Sequence, residues 1–218
     1  MIKRFFLHDY FRQLCLMSQP TTLLNNKRKT KNIAIFASGA GTNAAKIVDH
    51  FKNHPDIKVL LIVTNNSTAG VLNIAEKNNI KWLLIDRQTF LHDHGYVDEL
   101  KQHNVDFIVL AGFLWKVPQT LIDAYRNRII NIHPALLPKY GGKGMYGNKV
   151  HEAVLAANEE ESGITIHYVD EHYDNGDVIF QQKCPVLKDD TAETLAIRIH
   201  QLEHTYFPVI VEECVSKL

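Results

Sequence analysis

The sequence has few cysteines, no long apolar run and no excess of charge, and each shortage excludes a class of protein. Cysteine occurs only at Cys15, Cys184 and Cys214, without a C-x-x-C pair. An odd number of widely spaced cysteines argues against a disulfide framework or a zinc ribbon and favours a reducing compartment. We therefore expect a cytoplasmic protein.

Two further shortages concern partners. No apolar stretch approaches the roughly 20 residues that a membrane-spanning helix needs. Lysine and arginine number 24, as do aspartate and glutamate, so the formal net charge is zero. A balanced charge provides no basic surface for nucleic acid or for an anionic membrane. The partners that we expect are small molecules, bound by a monomer or a homodimer.

Residues 1–31 differ in composition from the rest, because they are basic and Asp9 is their single acid. A secretory signal needs an unbroken apolar segment of about 7–15 residues, and His8, Asp9 and Arg12 interrupt this one. We expect residues 1–31 to be a disordered extension or the result of a mis-assigned start, with Met17 as the alternative first residue. A basic docking arm is the other interpretation. Residues 32–218 are expected to form one domain.

Strand-like and helix-like segments alternate from residue 32 onward. Residues 33–36, 57–63 and 107–111 are continuous apolar runs, which indicate strands covered on both faces. Helical periodicity separates them, for example in residues 43–51. The pattern predicts an α/β fold with a doubly wound, mostly parallel Rossmann-like sheet and ligands at the carboxyl ends of its strands.

The C-terminal part departs from this alternation. Residues 164–169 and 178–186 are strand-like and closely spaced, which predicts an antiparallel pair at the C-terminal side of the sheet. A last helix is predicted from Asp190, with Glu193 completing a capping box.

A glycine turn, Ser38–Ala44, follows the first predicted strand and formally fits the dinucleotide pattern G-x-G-x-x-[GA]. A dinucleotide site also needs an acid at the end of the second strand, where Thr64–Asn66 stand instead. The backbone N–H groups of Gly41, Thr42 and Asn43 at a helix N-terminus remain suited to one phosphate. A tight turn without a ligand is the alternative.

Asn131 and His133 alternate at the end of an apolar strand that Pro134 must terminate. Imidazole moves protons near neutral pH, and a carboxamide can donate to a developing oxyanion. No nucleophile elbow accompanies them, so direct transfer through a tetrahedral intermediate is favoured over a covalent enzyme intermediate. A structural histidine at a strand end is the alternative.

His167, Asp170, His172 and Asp174 could be metal ligands, but they match no H-E-x-x-H or Cys/His pattern, and we expect no metal. His92 and His94 are expected to be solvated turn residues. His151 is expected to be a surface histidine on a helix, and a histidine near the substrate is the alternative.

The segments Ser38–Asn43, Leu110–Phe113, Asn131–Lys139 and Gly163–Gly176 resemble, in that order and spacing, the folate-dependent phosphoribosylglycinamide formyltransferase family. The resemblance covers residues 32–217. It implies transfer of a formyl group from 10-formyltetrahydrofolate, a co-substrate, to the amine of glycinamide ribonucleotide in purine biosynthesis.

The resemblance also implies residue roles. Asn131, His133 and Asp174 would be catalytic, with His133 as proton donor and Asp174 raising its pKa. The residues implied to contact the ribonucleotide are Gly41, Thr42, Asn43, His200 and Glu203. Those implied to contact the folate are Leu114, Trp115, Lys116, Val117, Asn131, Asp170, Glu171, His172, Tyr173 and Asp174.

The chain departs from the family pattern at Leu114–Val117, at Ala135, where serine is frequent, and in the glycine loop 141–147. The trio also resembles those of methionyl-tRNA formyltransferase, sugar-nucleotide formyltransferases and formyltetrahydrofolate hydrolase. We expect the tRNA enzyme to need a further C-terminal domain and the hydrolase an N-terminal one. A non-catalytic nucleotide-binding sensor would leave Asn131 and His133 unexplained.

Overall fold

A seven-stranded sheet runs through residues 30–94 and 96–218, which the computed structural model describes. The strands are β1 (Lys31–Phe36), β2 (Ile57–Thr64), β3 (Lys81–Leu84), β4 (Phe107–Leu110), β5 (Ile129–His133), β6 (Glu161–Tyr168) and β7 (Val178–Pro185). Their order in space is β3-β2-β1-β4-β5-β6-β7. Strands β1 to β5 pair in parallel, whereas β6 is antiparallel to both β5 and β7. The predicted fold class is confirmed.

Helices connect the strands and cover both faces of the sheet. They are α1 (Thr42–Phe51), α2 (Val71–Lys77), α3 (Arg87–His92), α4 (Val97–Gln102), α5 (Gln119–Ala124), α6 (Asn148–Ala156) and α7 (Ala192–Ser216). Helix α3 was not predicted, and His92 is its last residue rather than part of a turn. His92 and His94 are exposed, as expected.

The core consists of two apolar layers, one on each face of the sheet. In β1, Ile33 and Ile35 lie in the layer that includes residues of α1 and α7, while Ala34 and Phe36 lie in the other. All four are buried. Successive residues of a strand point to opposite faces of the sheet, and here both faces are covered. Such a strand therefore needs apolar side chains at every position.

The strand order changes direction at β1, because β2 lies on one side of β1 and β4 lies on the other. The connections that follow these neighbouring strands therefore run in opposite directions. Such a switch point opens a crevice at the carboxyl ends of the strands. Two hydrogen bonds join the loops that border it: Ser38 N donates to Gly112 O over 3.0 Å, and Leu114 N donates to Ser38 Oγ over 3.0 Å. The glycine turn and residues 111–114 therefore form one rim.

The N-terminus of α7 corrects a prediction. Thr191, not Asp190, is the N-cap, and Thr194 rather than Glu193 completes the capping box. Asp190 instead accepts from both terminal nitrogens of Arg198, over 2.7 and 3.1 Å. The Arg198 guanidinium holds the pKa of this carboxyl well below its usual range. Asp190 thus binds a bidentate partner eight residues away in the sequence instead of capping the helix.

No helix within residues 30–94 and 96–218 is long and apolar enough to cross a membrane. The predictions for residues 1–29, including the alternative start at Met17, lie outside the described part of the chain.

Candidate active site

The turn that follows β5 is held by the hydroxyl of Thr165, a fully buried residue of β6. Its Oγ1 donates to Ala135 O over 2.7 Å and accepts from Leu137 N over 3.0 Å. It also accepts from Gln181 Nε2 over 2.9 Å. One side chain thus satisfies two backbone groups of the turn and fixes the path of the chain beyond His133.

Replacing Thr165 by valine should destabilise the protein by about 1–3 kcal/mol, because the change leaves buried backbone groups of the turn without a partner. The free energy of unfolding in urea measures this effect. Thr205→Val is the matched control, since the Thr205 hydroxyl bonds an exposed helix carbonyl at Gln201. Equal stabilities of the two variants would contradict the proposed role of Thr165.

His133 lies at the end of β5, with 3% of its surface exposed. Its Nε2 is 2.8 Å from the carbonyl oxygen of Tyr140, which can only accept, so Nε2 carries a hydrogen. Its Nδ1 lies 3.6 Å from Asp174 Oδ2. Because Nε2 is committed to the backbone, Nδ1 is the ring nitrogen that can exchange a proton with a ligand.

Burial and Asp174 act on His133 in opposite directions. Burial lowers the pKa of the imidazole, whereas the charge of Asp174 and the hydrogen bond to Tyr140 raise it, and burial prevails. The expected upward effect of Asp174 on the pKa of His133 is present, but burial is the larger effect, so the pKa lies below its ordinary value in the protein without ligands. Desolvation of a ring this deeply buried outweighs a carboxylate that is not in direct hydrogen-bond contact.

Asp174 adopts a left-handed backbone conformation, with φ of 52°, which turns its carboxylate towards the end of β5. Its Oδ2 accepts from Gly142 N over 2.9 Å, and its Oδ1 lies 3.4 Å from Asn131 Nδ2. Burial raises the pKa of Asp174, but the neighbouring His167 and His133 rings and the Gly142 N–H together hold it below its ordinary value. Asp174 is therefore a carboxylate at neutral pH.

A cavity of about 640 Å³ connects this cluster with the glycine turn. All five residues implied to contact a ribonucleotide line it, together with Asn131, His133 and Asp174. The glycine loop 141–147 supplies part of its wall through residues 142–147. The glycine turn and the cluster of Asn131, His133 and Asp174 therefore face one space.

A buried carboxylate organises the glycine-turn end of this cavity. Glu203 is 4% exposed, and its Oε2 accepts from Asn43 Nδ2 and from His200 Nδ1, each over 2.8 Å. The hydrogen bond that Glu203 accepts from His200 raises the pKa of His200. Asn43, in the first turn of α1, is also linked to α7 through Glu203, so the two elements hold the glycine turn in place.

A smaller cavity, of about 70 Å³, opens beyond Asn131. It collects most residues implied to contact a folate: Trp115, Lys116, Val117, Asn131, Asp170, His172, Tyr173 and Asp174. Leu114 lines the larger cavity instead, and the exposed Glu171 lines neither. Asn131 and Asp174 border both cavities, so they stand where two ligands would meet.

Within residues 30–94 and 96–218, no three His, Cys, Asp or Glu side chains are arranged to hold a metal ion.

A family model described as formyl transferase matches residues 31–211. The chain belongs to the formyl transferase family. The match includes the glycine turn, the strand end at Asn131 and the loop that carries Asp174.

Relatives of this formyl transferase include a chloroplastic phosphoribosylglycinamide formyltransferase of Vigna unguiculata, 44% identical over 84% of the chain and 61% of the relative. The chain thus spans about three fifths of that relative's length. The phosphoribosylglycinamide formyltransferase of Bacillus subtilis is 35% identical over 85% of the chain and 95% of the relative. The crystal structure of the enzyme of that name from Bacillus halodurans has a TM-score of 0.78 and 38% identity, covering 86% of this chain and 96% of that one.

Two histidines of this formyl transferase were missed as site residues. His151 was expected on the surface, but it is 2% exposed and lines the larger cavity. His151 follows Val150 in α6, and both side chains are buried. The burial of His151 depends on how the helix packs, which the sequence does not show. His167 was considered only as a metal ligand, yet it lines the smaller cavity. His167 lies two residues after Thr165 in β6, so the two side chains point to the same face of the strand. This spacing could have indicated that His167 is a site residue.

Proposed function

We propose that this formyl transferase moves the formyl group of 10-formyltetrahydrofolate to the amine of glycinamide ribonucleotide. The observation that carries the proposal is the single cavity that joins an anion-binding turn to Asn131, His133 and Asp174. The folate-type cavity opens on the other side of Asn131. The names of the relatives support the same acceptor.

The glycine turn would bind the phosphate of the acceptor. The N–H groups of Gly41, Thr42 and Asn43 stand at the N-terminus of α1, where backbone donors and the helix dipole favour an anion. The buried carboxylate of Glu203 can accept hydrogen bonds, and the ribose of glycinamide ribonucleotide has hydroxyl groups that can donate them. When the phosphate is bound at this end, the rest of the cavity can hold the ribose and the glycinamide group, which carries the amine.

The other end would hold the folate. The smaller cavity combines the apolar Leu110, Phe113 and Val117 with polar groups of the 170–174 loop. A flat, hydrogen-bonding pterin has this mixture of surfaces. Lys116 Nζ lies 5.9 Å from the ring centre of Tyr173, and both residues line this cavity.

The reaction would then proceed by direct transfer. The lone pair of the acceptor amine forms a bond to the formyl carbon, and Asn131 Nδ2–H stabilises the resulting oxyanion of the tetrahedral intermediate. His133 Nδ1 delivers a proton to the folate nitrogen as the bond between that nitrogen and the formyl carbon breaks. The amine gives up one proton, which returns to His133 Nδ1, so the ring ends the reaction in the state in which it began. Asp174 stabilises the protonated form of His133.

Replacing Gly41 by alanine should raise the KM for glycinamide ribonucleotide by about 10-fold or more, while the KM for the folate changes little. Gly41 has φ of 77°, and an added Cβ would lie 2.8 Å from two side-chain atoms of Val71. The turn must therefore shift, and its N–H groups lose their aim. Steady-state kinetics measure the effect. At Gly39 an added Cβ meets nothing within 4 Å, so Gly39→Ala is the control. An equal change in both variants would contradict the phosphate assignment.

The proposed function is tested by steady-state formyl transfer from 10-formyltetrahydrofolate to glycinamide ribonucleotide, to a formyl-accepting sugar nucleotide and to water. The expected result is efficient transfer to glycinamide ribonucleotide alone. Preference for the sugar nucleotide or for water would replace it by the corresponding alternative enzyme. No turnover with any acceptor would favour a non-catalytic nucleotide-binding sensor.

The cytoplasmic location and a monomeric or homodimeric state stay predictions. Gel filtration with light scattering distinguishes the two states of assembly.

A further inference from the structure

We propose that His167, which lies outside the catalytic trio, is a positioning residue that fixes the orientation of the Asn131 carboxamide. The proposal rests on the function proposed above, since it names what holds the oxyanion donor of that reaction.

The sheet places the two residues together. His167 lies in β6 directly opposite Asn131 in β5, in an antiparallel register. Side chains of directly opposite residues on one face of such a pair lie about 4.5–5.5 Å apart at their Cβ atoms. His167 is 2% exposed, so its ring has no access to bulk water. Its polar atoms must therefore be satisfied by neighbours.

The neighbours determine which ring nitrogen carries the hydrogen. His167 Nδ1 lies 2.8 Å from the carbonyl oxygen of Tyr168, which can only accept, so Nδ1 donates. In a neutral imidazole Nε2 is then an acceptor, and Asn131 Nδ2 lies 3.1 Å from it. The Tyr168 carbonyl is itself confined, because a Cβ at Gly176 would lie 1.9 Å from its oxygen.

A carboxamide has two ends of nearly equal size, so hydrogen bonds alone decide which end faces the substrate. At Asn131 the nitrogen faces two acceptors, His167 Nε2 and, over 3.4 Å, Asp174 Oδ1. Both favour the orientation that turns the N–H₂ group towards Asp174, at the junction of the two cavities. Without the imidazole, the amide can rotate and present its oxygen to an oxyanion, which it would repel.

Asp174 is a charged group beside His167. It lies between two rings, with Oδ1 3.7 Å from His167 Nε2 and Oδ2 3.6 Å from His133 Nδ1. An N–H at His167 Nε2 would face the Asn131 amide nitrogen, which is also a donor, so the tautomer with its hydrogen on Nδ1 is the one that orients Asn131.

A pair of amide substitutions separates the two ring nitrogens. His167→Gln can place an amide oxygen where Nε2 stands and keep the contact to Asn131. His167→Asn is too short to reach Asn131 but can still donate to the Tyr168 carbonyl. We expect His167→Asn to lower kcat by about 10-fold or more, as for one lost hydrogen bond, with both KM values nearly unchanged. His167→Gln should restore most of the loss.

The exposed His94→Ala is the control for a general effect of losing a histidine, and it should leave kcat unchanged. Equal kcat values for the Asn and Gln variants would overturn the proposal.

Side-chain ¹⁵N–¹H NMR of Asn131 tests the contact without any turnover, with the signals assigned by their loss in Asn131→Ala. The amide signals should shift in His167→Asn and return towards the wild-type position in His167→Gln. Identical signals in the wild type and His167→Asn would overturn the proposal even if the enzyme is active. Absence of formyl transfer in the wild type would instead refute the proposed function, and the NMR result would then decide the positioning role alone.

Discussion

Replacement of Asn131 by alanine is expected to lower kcat by about 10²-fold or more, with little change in the KM for glycinamide ribonucleotide. Asn131 Nδ2 is the side-chain amide donor at the junction of the two cavities. The charge that it stabilises develops only after the amine has attacked the formyl carbon. Its loss therefore raises the energy of the transition state more than that of the bound substrates.

Single-turnover rates with both substrates saturating measure this effect apart from product release. Asn131→Asp is an informative companion, because it retains the shape but replaces the donor by a carboxylate beside Asp174. It should be at least as slow as the alanine variant. A near-normal rate in either variant would show that the oxyanion donor lies elsewhere.

Replacing Asp174 by asparagine is expected to lower kcat by about 10²-fold at neutral pH and to shift its pH dependence. Burial lowers the pKa of His133 and the charge of Asp174 raises it. Removing the charge takes away the largest effect that opposes burial, so the pKa of His133 falls further. The proton-donating form is present below that pKa and is lost as pH rises through it, so activity that depends on it must decline at a lower pH in the variant.

Two measurements check the prediction for Asp174. The pH profile of kcat reports the decline, and an NMR titration of the His133 ring reports the pKa without turnover. The expected result is a downward displacement of both in Asp174→Asn. An unchanged or higher pKa of His133 in the variant would contradict the assignment of Asp174 as its electrostatic partner.

Much of the fold could be predicted because the strands are buried on both faces. The uninterrupted run Ile33–Phe36 has no polar position to confuse a strand with a helix face, and the chain alternates such runs with helices. The antiparallel pair at the C-terminal side was predicted from the short spacing between its strands and is confirmed. The capping pattern in the sequence did not predict the N-terminus of α7, because Asp190 forms an ion pair with Arg198 instead of capping the helix.

The candidate site divides in the same way. Asn131 and His133 could be proposed as site residues from the sequence, because they form a polar pair at the end of an apolar strand that Pro134 terminates. The contact between His167 and Asn131 depends on the register of β5 against β6, which spacing along the chain does not specify. The direction of the His133 pKa shift likewise depends on burial, which arises only when the folded chain packs around the ring.

The central claim is direct formyl transfer to glycinamide ribonucleotide at the site around Asn131, His133 and Asp174. The most direct test is a single-turnover experiment with the protein in excess over 10-formyltetrahydrofolate that carries ¹³C in its formyl group. Mass spectrometry and NMR then locate the label. The account predicts label on the amine of glycinamide ribonucleotide and none on the protein, with transfer strongly slowed in Asn131→Ala. Label on the protein, label released as formate, or an undiminished rate in that variant would contradict it.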